Sequence, residues 1–121
     1  MRALNHCDDK LEYYKMLASF YNSRSEFSIA EGYLIEALKY DTNDKELYLL
    51  GARIYCELAI RNKEKDFLNE AIERGVDDIK SLFRLGTIYL EEKRYKESYT
   101  LLKRVIEMDE RHLGARINLG I

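Results

Sequence analysis

Residues Ile79 to His112 read IKSLFRLGTIYLEEKRYKESYTLLKRVIEMDERH. Ile79, Leu82, Phe83 and Gly86, followed by Leu90, fall three and four apart, the spacing of one helix face. Moving outward from this stretch in steps of 34 residues, the same pattern returns: Tyr21, Tyr55 and Tyr89 align, and so do Ala18, Ala52, Gly86 and Gly120. Further columns are Leu17, Gly51, Leu85 and Leu119; Leu34, Leu68 and Leu102; Leu38, Ile72 and Ile106; and the mostly small Ala37, Ala71 and Val105. No insertion is needed anywhere. A fixed period of this size marks a repeat array, in which each unit buries its apolar face only by stacking on its neighbours.

The period and its columns resemble the tetratricopeptide repeat, a helix-turn-helix unit. In Ile79 to His112 the signature falls on Leu82, Leu85, Gly86, Tyr89, Tyr95, Leu102 and Ile106. In Leu11 to Asp44 it falls on Tyr14, Leu17, Ala18, Tyr21, Phe27, Ala30, Leu34, Ala37 and Leu38. The unit Lys45 to Asp78 departs from it: Arg61 stands in the column of Phe27 and Tyr95, and Glu64 in that of Ala30 and Ser98, which predicts a looser or shifted turn between its helices. No unit has the family's Trp or closing Pro, since the chain contains neither. The resemblance implies an all-α fold, a right-handed superhelical array of antiparallel helix pairs. The expected organisation is one domain: 1–10 as the tail of a preceding repeat or an N-terminal cap, repeats at 11–44, 45–78 (divergent) and 79–112, and 113–121 as the first helix of a further repeat or a C-terminal cap. Ala3 and Leu4 continue the columns of Ala37 and Leu38, and the closing run is apolar, so the chain reads as a slice of a longer array.

Local signals predict helices over 10–23, 26–40, 44–58, 62–74, 78–92, 95–108 and 111–121. Asp9 with Glu12, and Asn43 with Glu46, have capping-box spacing. Asp77 is the expected N-cap of the fifth helix, Ser25 opens the second, and Gly75 suits a left-handed helix end. Gly51, Gly86 and Gly120, in two adjacent columns, are expected to mark close helix approach. Tyr14, Tyr21, Tyr48, Tyr55 and Tyr89 fall in repeat columns and are expected in the core.

Composition fits a compact helical domain: of 121 residues, 46% are hydrophobic and 35% charged, the formal net charge is -2, and no Pro interrupts a helix. No apolar run approaches the roughly 18 residues of a membrane span. Cys7, Asp8, Asp9 and Lys10 interrupt any secretory-signal pattern. Two cysteines, Cys7 and Cys56, without a disulfide framework favour a reducing compartment, and a cytoplasmic location is expected.

The resemblance implies that the first helix of each pair lines a concave groove where a partner segment lies. With the core columns removed, helical spacing leaves Lys15, Ser19 and Asn22, then Leu49, Leu50 and Arg53, then Lys80, Phe83, Arg84 and Thr87 as the candidate groove. Lys15, Arg53, Lys80 and Arg84 would hold an acidic or carboxylate-bearing segment, and Leu49, Leu50 and Phe83 would supply apolar contact. Lys15, Lys80 and Arg84 fall at the cationic positions of the carboxylate clamp of co-chaperone relatives, whereas Ser19 and Leu50 replace its two Asn.

Other chemistry is thin. His6 beside Cys7 lacks zinc-ligand spacing, Cys56 has no His at a useful helical distance, and no Gly-rich phosphate loop occurs. No cofactor, metal or catalytic residue is expected. Three function classes follow: a non-catalytic scaffold for a protein segment, a self-association module using Leu113, Ile117, Leu119 and Ile121, and a helical RNA-binding repeat. The net charge of -2 and the lack of a basic stripe oppose the last, because nucleic-acid affinity rests on neutralising phosphate.

Overall fold

The computed structural model describes residues 6–40 and 43–120, with side chains from Lys10 onward. Among these residues the chain forms seven helices: α1 (His6–Ser23), α2 (Phe27–Leu38), α3 (Lys45–Glu57), α4 (Arg61–Glu73), α5 (Ile79–Glu91), α6 (Tyr95–Met108) and α7 (Leu113–Leu119). Each odd-numbered helix up to α5 packs most closely on the even-numbered helix that follows it, and α2 and α4 then lean on the next odd one. Contacts of α1 with α3 and of α5 with α7 set these odd-numbered helices side by side, whereas α3 and α5 stand further apart with a hollow between them. The result is a stack of helix pairs, as the 34-residue period predicts. None of the helices among the described residues is long and apolar enough to cross a membrane.

Small residues set the closeness of the pairs. A Cβ added at Gly51 would come within 2.5 Å of Phe67, and one at Gly86 within 2.9 Å of Leu102, so these positions carry the expected close approach. Gly120 does not belong with them. It has φ +78°, nothing within 4 Å of an added Cβ, and ends α7 as a left-handed cap. Ala18, Ala30, Ala37, Ala52, Ala71 and Ala115 are buried, and the large core residues Leu34, Leu47, Ile54, Tyr55, Leu82, Leu85, Ile88 and Leu102 interlock around them. Tyr14, Tyr21 and Tyr33 form a stacked aromatic series beside the first core cluster.

The turns are more regular than the sequence suggested. Ser25, Ala59 and Lys93, spaced by 34, all have φ near +60°. In each case the amide of the following residue donates to the carbonyl five residues back: Glu26 to Tyr21 at 2.9 Å, Ile60 to Tyr55 at 3.0 Å and Arg94 to Tyr89 at 2.8 Å. This is the Schellman ending of a helix. The middle turn is therefore neither looser nor shifted, because backbone hydrogen bonds define it and the side chains of Arg61 and Glu64 do not enter it. Ser25 is the left-handed residue of its turn and does not open α2. Gly75, at φ +108°, ends α4 as expected.

N-caps also recur at 34 residues. Asp44 accepts from the Glu46 amide at 3.0 Å, Asp78 from Ser81 at 3.2 Å, and His112 Nδ1 from Ala115 at 3.0 Å. Asn43 and Asp77, the expected caps, lie one residue too early. Each sits beside a second competent side chain, so residue type alone did not decide. Asp77 instead pairs with Arg104. Helix α1 starts at His6, which puts Asp9 inside the helix, so it does not open one with Glu12. The expectations for Ala3, Leu4 and Ile121, and for the side chains of His6 and Cys7, lie outside the described residues.

Candidate functional site: the face of the odd-numbered helices

Helices α3 and α5 border a cavity of about 380 Å³ whose lining includes Leu49, Arg53, Cys56, Glu64, Lys80, Phe83 and Arg84. A second hollow beside it brings Asn22 and Phe27 together with Arg53, Glu57 and Lys80. Candidate groove residues from all three units, Asn22, Arg53 and Lys80, thus meet at one hollow, but the candidates are not equally available.

Two of the four cations are already engaged. Lys15 Nζ donates to Asp44 at 2.7 Å, which ties α1 to the start of α3. Burial raises the Asp44 carboxyl, but hydrogen bonds from Lys15 and the Glu46 and Leu47 amides outweigh it and hold the group below its ordinary value. Arg84 makes a bidentate pair with Glu64, Nε to Oε2 at 2.6 Å and a terminal nitrogen to Oε1 at 2.9 Å. Arg61 approaches the same carboxylate at 3.8 Å and also pairs with Glu91. Arg53 and Lys80 are exposed and have no ion pair among the described residues.

Glu64 is the residue that sequence reasoning missed. It is 2% exposed, in a column otherwise held by buried Ala30 and Ser98. A buried carboxylate requires compensation, and the Arg84 guanidinium supplies it. Ser98 meets the same need by donating to the Gly86 carbonyl at 2.8 Å. The signal was visible as a charged residue in a small-residue column, but its partner could not be chosen without knowing which positions face one another across units.

Leu50 is corrected on the same ground. At 6% exposed it lies in the first core cluster with Ala30 and Leu34, and it lines no groove. Its repeat equivalent is Arg84, so the Ala30 and Leu50 positions are the apolar counterpart of Glu64 and Arg84. Leu49 is half-buried and borders the cavity. Phe83 is half-buried and packs 4.6 Å from the His112 ring, over Gly114, where an added Cβ would come within 2.7 Å of it. Thr87 Oγ1 donates to the Phe83 carbonyl at 2.9 Å and receives Asn118 at 3.5 Å, so it braces α7. Ser19 is exposed in a shallow depression with Met16 and Phe20. Asn22 places its side-chain oxygen in a buried position with no donor among the described residues.

Cys56 is exposed. Partial desolvation of its sulfur pushes the thiol up, Glu64 adds to this through charge and a hydrogen bond, and Arg84 opposes. A thiol held protonated is a poor nucleophile. At the C-terminal end Leu113 and Ile117 are strongly exposed, whereas Leu119 turns inward against the cluster of Leu82, Leu102, Val105 and Ala115. Leu119 is therefore a core contact and not a free surface residue. Helical spacing explains this, since it lies in the Leu85 column.

No known family model matches this chain, and no curated protein matches it. Solved structures do. The chain is similar to YrrB, described as a TPR protein with an unusual peptide-binding site, at 23% identity and a TM-score of 0.77, over 88% of this chain and 55% of that one. It is similar to the TPR domain of P58(IPK), at 17% identity and a TM-score of 0.77, over 93% of this chain and 31% of that one. The first TPR of Spaghetti (RPAP3) bound to the HSP90 peptide SRMEEVD matches at 18% identity and a TM-score of 0.72, over 93% of this chain and 89% of that one. The chain spans about half the length of the YrrB structure and about a third of that of P58(IPK). At these identities the likeness establishes the fold: an all-α tetratricopeptide-type array.

Proposed function

We propose that this array is a non-catalytic protein-interaction scaffold that holds a partner segment on the face of its odd-numbered helices. The observation that carries the reading is the hollow where Arg53 and Lys80, exposed and without an ion pair among the described residues, come together beside Asn22, Phe27 and Glu57. Two cations there suit a carboxylate, and the neighbouring cavity offers Leu49 and Phe83 for an apolar side chain. The partner is therefore a peptide segment with an acidic group next to an apolar one. The bound HSP90 peptide of the Spaghetti structure supports the general mode. With Lys15 and Arg84 committed to internal carboxylates, this face offers no cationic stripe for nucleic acid, and no membrane role is proposed. A reducing, cytoplasmic setting suits the free thiol of Cys56.

Selection from a random peptide library, followed by calorimetry on each binder, tests this. Arg53→Ala with Lys80→Ala is expected to weaken binding at least about tenfold. Binders whose affinity is unchanged by the pair would place the site elsewhere.

A second reading, self-association, is favoured by Leu113 and Ile117, large apolar side chains left open on α7.

A further inference from the structure

We propose that copies of this chain associate head to tail, with Tyr13, Met16 and Phe20 on α1 of one copy seated against Leu113 and Ile117 on α7 of the next. This rests on the self-association reading and names the mate.

The 34-residue register supplies the geometry. Tyr13, Met16 and Phe20 are the repeat equivalents of Leu47, Leu50 and Ile54. In α3 those three residues are buried in one cluster with Ala18, Ala30, Leu34 and Ala37, so they form the face with which a unit sits on the unit before it. On α1 the same three positions are again large and apolar, yet exposed, Met16 at 61%. At the other end, Leu113 and Ile117 are the equivalents of Ile79 and Phe83. In α5 those residues pack against Leu82, Leu102 and Val105 of their own unit together with Ala115 of α7, and Phe83 also lies over Gly114, so they contribute to the face a unit turns to the unit after it. On α7 they are 69% and 66% exposed. The two ends thus carry matching parts of a joint that the molecule makes internally, although the even-numbered helix that brings Ala30, Leu34 and Ala37 to the first joint has no counterpart after α7 among the described residues.

Charge selects the orientation. Residues 11–44 hold three Lys and Arg against six Asp and Glu, whereas residues 79–121 hold nine against six. Unlike ends attract and like ends repel, which favours a heterologous contact over a two-fold one. Exposed Glu12 beside Tyr13, and exposed Arg116 between Leu113 and Ile117, bring the same signs to the rims, while Arg24, 5.4 Å over the Phe20 ring, is balanced by Glu26.

Sedimentation equilibrium on two blocked variants tests the proposal. One is Met16→Glu with Phe20→Glu, the other Leu113→Glu with Ile117→Glu. All four residues are exposed, and far-ultraviolet circular dichroism verifies that both variants keep their helices. Wild type is expected to form a concentration-dependent open series that weakens with salt. Each variant alone is expected to be monomeric, and an equimolar mixture to give a one-to-one dimer, since each retains one intact end. Association that survives in the α1 variant but is lost in the α7 variant, or a mixture that stays monomeric, overturns the head-to-tail pairing while self-association stands. A wild type that remains monomeric throughout the series overturns both.

Discussion

Glu64 and Arg84 show how one residue pair can be costly alone and neutral together. The carboxylate is buried, while the guanidinium is about one-third exposed, 36% against 3% for Glu64. Removing the cation strands a buried charge, and Arg84→Leu is expected to destabilise the chain by about 2–4 kcal/mol in urea denaturation. Glu64→Ala leaves a cation that water can solvate, so its cost should be much smaller. The double change recreates the apolar pair already present as Ala30 and Leu50, and is expected to lie close to wild type. A double variant as unstable as Arg84→Leu alone would contradict this. Tyr55 gives a different residue-scale outcome. Burial, with Glu31 adding a hydrogen bond and its charge, pushes its hydroxyl up to about 12. Between the ordinary value near 10 and 12 the folded chain binds more protons than the unfolded one, so stability falls as pH rises through that window. Thermal melts from pH 9 to 11.5 should show a slope that Tyr55→Phe reduces.

At the scale of helices and turns, three Schellman endings place non-glycine residues in the left-handed region. An L-residue there costs about 1–2 kcal/mol, partly offset by the greater chain entropy that glycine loses on folding. Lys93→Gly is therefore expected to stabilise the array by about 0.5–1.5 kcal/mol in urea denaturation. Gly75→Ala, at φ +108° with open space around it, should destabilise it by about 1–2 kcal/mol for the same backbone reason. If both changes move stability in the same direction, backbone conformation does not govern these ends. The turns also explain why helix positions were legible within a residue or two after α1, while their caps were not. The period fixes where a turn falls, but the choice between adjacent Asn43 and Asp44, or Asp77 and Asp78, depends on which backbone residue first turns extended.

Over the whole molecule, the repeat columns carried the fold because each column maps to one structural environment. They carried less of the candidate site. Removing core columns leaves residues that point away from their own pair, but a helix in an array has two further neighbours. Leu50 is buried and Leu119 partly buried by packing between units, and Lys15 and Arg84 are occupied by Asp44 and Glu64 across joints that spacing within one helix does not reveal. Arg53 and Lys80 border the hollows because they are exposed and make no ion pair among the described residues, and Leu49 and Phe83 border them as half-buried side chains at the edge of the core.

The Glu64 to Arg84 pair also gives the three units an order. Every joint shares one backbone plan, so by shape alone the units would be interchangeable, and a shuffled chain would stack as readily. Chemistry forbids it. If the second unit were placed ahead of the first, Glu64 would face Met16, leaving a buried carboxylate against a thioether. If the first unit were placed ahead of the third, Arg84 would face Ala30. The sequence of units is written into one buried charged joint, and domain exchange between copies is restricted to partners that keep that joint intact.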